Sequence, residues 1–249
     1  MTEKTANTSP SRVALVTGGS QGLGLALTRE LVSRGWHVVT DARNGERLRA
    51  AVTGLGDAVT AVPGDVTDAA HRAELVAAAA GAGGLDLLVH NASALGASPL
   101  PTLTVYPADT LHEVFATNVV APVALTAQAI RLLTAASPDG RRPVVLAISS
   151  DAAVEAYEGW GGYGASKAAL DHVAQVLAVE HPDLTVYAVD PGDLRTQMHQ
   201  DAFPGQDISD RPLPSTVAPT LVDLVTSGRP SGRYRAADLA LETGRQVSA

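Results

Sequence analysis

The feature that most constrains this chain is an alternation. Short apolar runs recur along its 249 residues, and each is followed by a longer amphipathic stretch rich in alanine. Runs at 13–17, 37–40, 58–62, 85–90, 144–149 and 184–189 read as strands, with a last short one near 232–235. Stretches at 22–34, 45–52, 69–79, 111–136, 157–180 and 217–227 read as helices. Several runs are unbroken Val, Leu and Ile, as parallel strands buried on both faces require. Strand–helix alternation of this kind builds βαβ units. The expected fold is α/β: one doubly wound parallel sheet of about seven strands, with helices on both faces.

Nothing divides the chain further. The first eleven residues, MTEKTANTSPS, are polar and read as a disordered tail, leaving 12–249 as a single domain. Pro and Gly gather at 203–215, and residues 197–215 are expected to form a loop or lid over a substrate. A net charge of −8 argues against a phosphate-backbone binder, so no nucleic-acid partner is expected. Cysteine is absent, which excludes disulfides and thiolate metal centres. His71, His90, His112, His172, His181 and His199 are scattered without chelating spacing, so no metal site is expected. The N-terminus lacks the apolar core of a signal peptide, and no apolar run is expected to approach the roughly 18 residues of a membrane span. The default expectation is a cytoplasmic chain with no membrane partner.

Two stretches carry chemistry. The first is ALVTGGSQGLGLAL, which sets Gly18, Gly22 and Gly24 in a turn between the first strand and the first helix. Glycines there let backbone approach a diphosphate, and the opening helix offers free N–H groups and its positive dipole end. This makes the doubly wound sheet a Rossmann-type one. The second is GYGASKAAL, where Tyr163 and Lys167 lie one helical turn apart. Only Lys4 and Lys167 are lysines among the 18 basic residues, so Lys167 is not an ordinary surface cation. A phenol titrates near 10, and a neighbouring ammonium lowers that value, making the phenol a usable acid for a carbonyl oxygen that receives charge. A compact ammonium suits this place better than a planar guanidinium.

TGGSQGLG followed by YGASK resembles the short-chain dehydrogenase/reductase family, and the likeness runs from Val13 to about Thr196. The resemblance implies hydride transfer between a nicotinamide dinucleotide and a carbonyl or alcohol. It implies Tyr163 as acid/base, Lys167 tuning it and binding ribose, and Ser150 donating to the carbonyl oxygen. Asn118 would be the fourth catalytic member, holding a water for proton return. Gly18, Ser20, Gly22, Leu23 and Gly24 would line the diphosphate turn. Asp65 and Val66 would hold the adenine ring, and Asn91 and Ala92 would flank the ribose. Pro191, Gly192, Leu194 and Thr196 would hold the carboxamide. Tyr157 and Trp160 would wall the substrate site. Family members are often homodimers or homotetramers, assembled through helices near 111–136 and 157–180.

The second strand ends in VVTDARNGERL, where Asp41 and Arg43 pull in opposite directions. Aligned by resemblance, Ala42 takes the place of the NAD-selecting acid and Arg43 binds the 2′-phosphate of NADP, with Ser20 adding a hydroxyl. A shift of one residue makes Asp41 an NAD selector instead. NADP(H) is the expected cofactor. Asp68 is expected to cap the following helix, and Asp193 and Arg195 to form a surface pair. The fourth strand ends in His90-Asn91-Ala92-Ser93, where the family usually has Asn-Asn-Ala-Gly. That departure keeps open a non-catalytic nucleotide-binding regulator, and a separate alternative is a net non-redox enzyme such as an epimerase.

Overall fold

A computed structural model describes residues 12–135 and 140–244. The expected tail at 1–11, with Lys4, lies outside the described residues, as does the helix end expected at Ala136. In chain order the elements are β1 (Val13–Val16), α1 (Gly22–Ser33), β2 (His37–Ala42), α2 (Gly45–Val52), β3 (Val59–Pro63), α3 (Ala69–Gly81) and β4 (Leu87–His90). There follow α4 (Ala108–Phe115), a π-helical turn (Ala116–Val120), α5 (Ala121–Leu133), β5 (Val144–Ile148), α6 (Gly161–Glu180) and β6 (Thr185–Asp190). Last come α7 (Gln197–Ala202), α8 (Pro214–Thr226), β7 (Gly232–Arg235) and α9 (Ala236–Glu242). The sheet has seven strands, all parallel, in the order β3-β2-β1-β4-β5-β6-β7.

The strands sort their side chains by twos. Ala14, Val16, Leu87, Val89, Leu146 and Val189 join one core with α1, α8 and α9. Val13, Leu15, Leu88, Val145 and Ala188 join the other with α3, α5 and α6. Neither face of the central strands meets water, which is why their sequences carry no polar alternation. The order reverses between β1 and β4, so the loops leaving them splay apart and open a crevice at the carboxyl end of the sheet.

Three expectations change. The helix expected at 157–180 begins at Gly161, because residues 157–160 form a turn that walls the crevice. The stretch expected as a loop or lid, 197–215, contains α7, and the N–H of Arg195 donates to the carbonyl of Pro212 at 2.8 Å, closing the base of the excursion. Residues Ala108–Leu133 form one continuous helical run, with a mean hydropathy of 1.3 over its most apolar window, so one segment does reach a membrane span in length and composition. Its Ala121, Leu125, Ala129 and Leu133 are buried against the sheet, as in a core helix.

Candidate active site

The crevice is a cleft of about 690 Å³ lined from the β1–α1 turn to α7. Gly18, Ser20, Gly22, Leu23, Arg43, Asp65, Val66, Asn91, Ala92, Ser150, Tyr163, Lys167, Pro191, Gly192, Leu194 and Thr196 all line it. Among the expected site residues, Gly24 and Asn118 do not.

The β1–α1 turn is held from three sides. Gly18 sits at φ +75, which a side-chain-bearing residue rarely adopts. A Cβ on Gly24 would lie 2.3 Å from the Gly18 carbonyl oxygen and 2.4 Å from Asn91 Nδ2, so glycine there is a steric need. Asn91 Nδ2 donates to the carbonyls of Thr17 and Gly18 at 2.8 and 3.2 Å, tying the turn to the end of β4. Helix α1 opens without a side-chain cap and with no acid in its first turn. Its N–H groups are therefore free for an anion, and the turn fits a dinucleotide diphosphate.

Asp41 does not face that ligand. It is 2% exposed, one oxygen accepts the Gly18 N–H at 2.7 Å, and the other meets His71 Nε2 at 3.0 Å. Donating a hydrogen bond to Asp41 raises the His71 pKa above its ordinary value, against the effect of burial. Arg43 is exposed and lines the cleft, and so does Arg47, which sequence reasoning passed over. Arg47 lies in the first turn of α2, four residues past Arg43, and a second cation in the same short segment was the signal that could have found it. Asn44 and Asp68 cap α2 and α3, accepting N–H bonds at 2.9 Å from Arg47 and Ala70.

On α6, Tyr163 and Lys167 share one face. Lys167 Nζ stands 5.5 Å from the centroid of the Tyr163 ring. Lys167 is 1% exposed and donates to the carbonyl of Ile148 at 2.8 Å, and burial pulls its pKa down to about 8. The close packing expected of the small residues holds at Gly164, where a Cβ would lie 2.5 Å from the Ala152 carbonyl oxygen.

The electrostatics depart from expectation. Burial pushes the Tyr163 phenol up, and the groups that favour its phenolate are the hydroxyls of Ser93 and Ser150. Ser150 Oγ donates to Asp151 Oδ1 at 2.9 Å, not into the cleft. Asp151 also lines the cleft and was not singled out in the sequence. Its position directly after the strand-end serine was the available signal.

Asn118 lies in the π-helical turn. Its Oδ1 accepts from the Ala94 N–H at 2.7 Å and Ser93 Oγ at 3.2 Å. Its Nδ2 donates to the Ala94 carbonyl and to Ser166 Oγ, both at 2.9 Å. An amide makes four such bonds at most, so this side chain has none left for a water. The expected water-holding role is corrected accordingly: the amide clamps the β4 loop. Ser93 fits without displacing that loop because its hydroxyl joins the clamp. His90 is buried beside Thr126, 2.8 Å from its hydroxyl, and burial holds its pKa at about 3, so it is a neutral packing residue.

Other placements are simple. The Thr196 oxygen accepts the His199 N–H at 3.2 Å and caps α7, leaving its own proton to donate. Asp193 pairs with Arg211 at 3.5 Å, not with Arg195. Trp160 packs edge-on against Tyr163, with ring centroids 5.7 Å apart, and lines the cleft with Tyr157. Among the described residues no group of three metal-ligating side chains occurs.

Comparison with known proteins agrees with this geometry. The family model for short chain dehydrogenase matches residues 12–207. Human dehydrogenase/reductase SDR family member 2, mitochondrial, is 34% identical over 193 residues, covering 75% of this chain and 66% of that protein, just under two thirds. Serine 3-dehydrogenase of Agrobacterium fabrum is 31% identical over 75% of this chain and 74% of its own. Bovine sepiapterin reductase is 32% identical over 76% and 74%. A short chain dehydrogenase of Shigella flexneri complexed with NADP superposes with a TM-score of 0.82 at 27% identity, over 90% of this chain and 96% of its own. One from Escherichia coli CFT073 complexed with NADPH gives 0.81 at 28%, over 90% and 96%. The chain belongs to the short-chain dehydrogenase/reductase family of oxidoreductases.

Proposed function

We propose that the protein is an NADP(H)-dependent oxidoreductase that interconverts a ketone or aldehyde and an alcohol. The observation that carries this reading is the meeting of Tyr163, Lys167 and Ser150 in the cleft that begins at the β1–α1 glycine turn. The dinucleotide would lie along that turn, with its diphosphate on the N-terminus of α1, and would supply or accept the hydride. Arg43, with Arg47, would hold the 2′-phosphate, since Asp41 is turned inward onto Gly18 and His71. The solved NADP and NADPH complexes of similar chains support that choice.

The chain's own groups do the proton chemistry. Tyr163 gives its phenolic proton to the carbonyl oxygen as charge develops there, and Ser150 donates a hydrogen bond to the same oxygen. Lys167, 5.5 Å from the phenol ring, offsets the negative charge left behind. A water that refills the proton would be held by backbone of the π turn, since the Asn118 amide is saturated.

Oligomerisation fits the surface: Val120 and Val123 on the α4–α5 run, and Val176 and Val179 on α6, are exposed apolar residues on the two helices expected to form a homodimer or homotetramer. The experiment for the activity follows NADPH oxidation across a panel of ketones and aldehydes with wild type and Tyr163→Phe. Turnover by wild type alone, with cofactor binding kept in the variant, supports the reading. Equal rates would refute it. Tight NADPH binding without turnover of any carbonyl would favour the non-catalytic alternative.

A further inference from the structure

The two ends of the cleft differ in charge: the first mixes Arg43 and Arg47 with Asp65, and the second is acidic. Arg43 and Arg47 line the end beside β2, and Asp151 and Asp193 line the end beyond β5 and β6. The sheet order puts these ends on either side of the β1–β4 crevice. Basic residues at the first end suit the phosphates of a dinucleotide. The acids at the second end stand where a substrate would lie, and the acid/base chemistry of Tyr163 does not use them.

Asp151 is the one that matters. Its Oδ1 accepts from Ser150 Oγ at 2.9 Å and from the Ala152 N–H at 2.8 Å. Its Oδ2 accepts from the Tyr157 hydroxyl at 3.0 Å. All three donors are neutral, and no ion pair among the described residues includes Asp151. A carboxylate offers about four acceptor sites, so Oδ2 keeps one. By contrast, Asp193 already has Arg211 at 3.5 Å.

A second group points the same way. His199 lines the cleft from α7, its side chain is 9% exposed, and its Nε2 is buried without a hydrogen-bond partner. Burial lowers its pKa, which leaves a neutral imidazole able to accept an N–H. Its ring stacks on Phe203 with centroids 4.9 Å apart, so it is held in place. Tyr157 and Trp160 complete an aromatic wall of the kind that favours cations.

We propose that the cleft selects carbonyl or alcohol substrates bearing a cationic amine, with Asp151 as the specificity-determining counter-ion. This rests on the oxidoreductase reading above. The selection also reaches the chemistry. Ser150 has one hydroxyl proton, and Asp151 holds it until a substrate arrives. An ammonium on Asp151 weakens that hold and frees the Ser150 hydroxyl to donate a hydrogen bond to the carbonyl oxygen, while the transferred proton still comes from Tyr163.

The test uses three aryl ketones of matched size, bearing an aminomethyl, a hydroxymethyl or a carboxylate group, with NADPH. Wild type is expected to show kcat/KM about tenfold higher for the ammonium ketone than for the hydroxymethyl one, and lowest for the carboxylate. Asp151→Asn, which keeps the shape, is expected to bring the first ratio near one. No preference in wild type, or a preference unchanged in Asp151→Asn, would overturn the inference while leaving the oxidoreductase reading intact. Should no ketone turn over, that reading fails instead, and charge selection is read from binding. Benzylamine is then expected to raise the wild-type melting temperature, with NADPH present, more than benzyl alcohol does, and equal shifts overturn the inference. If Asp151→Asn does not fold, the same wild-type comparison decides.

Discussion

Asp41 Oδ2 meets His71 Nε2 at 3.0 Å while Asp41 Oδ1 accepts the Gly18 N–H at 2.7 Å. One carboxylate thus joins β2, α3 and the glycine turn, and both of its oxygens are engaged inside the protein. Asp41→Asn is therefore expected to weaken both NADPH and NADH binding by a similar factor rather than to switch preference. It should also cost about 1.5–3 kcal/mol of stability, the usual range for a hydrogen bond to a charged group. Cofactor titrations and urea unfolding check the two halves.

The same pair sets a pH dependence. The pKa of His71 is raised in the folded state, so its contribution is fully present below the unfolded value of about 6.5. It is lost as pH rises through the folded value. The stability difference between wild type and His71→Gln is expected to be larger at low pH than well above that value. Urea midpoints across the range measure it, and a difference that grows with pH would contradict the pairing.

Arg43 is exposed at the cleft edge, and its proposed partner is a phosphate carried only by NADP(H). Arg43→Ala is expected to raise KM for NADPH about tenfold and to leave KM for NADH nearly unchanged. A parallel loss for both cofactors would remove Arg43 from the 2′-phosphate.

Tyr163→Phe removes the proposed proton donor and keeps the ring against Trp160. A fall in kcat of about 10²–10⁴ is expected, the usual contribution of a general acid, with NADPH affinity kept in a fluorescence titration.

Ser93 stands where the family usually has glycine, and its hydroxyl, which rests on Asn118 Oδ1, favours the Tyr163 phenolate when it turns toward the phenol. Ser93→Gly is expected to fold, because Asn118 keeps its three other hydrogen bonds. Removing the hydroxyl should move the kinetic pKa of the acid/base group upward. A pH–rate profile that shifts down, or not at all, would detach Ser93 from the phenol.

Much of this molecule was legible in the chain. The strands at 144–149 and 232–235 and the helix at 45–52 are found within a residue of their expected ends. The glycine turn and the Tyr163–Lys167 spacing are local patterns set by backbone geometry and helical period, so sequence alone could carry them. What it could not carry is where a polar side chain spends its hydrogen bonds. Asp41 and Arg43 are two residues apart, both charged and both on the cleft wall, yet the Asp41 oxygens are engaged by Gly18 and His71 while Arg43 is exposed. Asn118 fills all four bonds of its amide with groups 24 to 48 residues away. Asp151 reads as an ordinary loop acid until Tyr157 and Ser150 are seen donating to it.

The sequence by itself determined the parallel sheet, the glycine turn and the Tyr163–Lys167 spacing, because periodicity and glycine placement act over one or two turns of chain. Only the tertiary structure decided which carboxylates are consumed inside and which keep a site for a ligand. Desolvation and hydrogen-bond saturation are properties of a packed neighbourhood, and that neighbourhood is drawn from strands far apart in the chain.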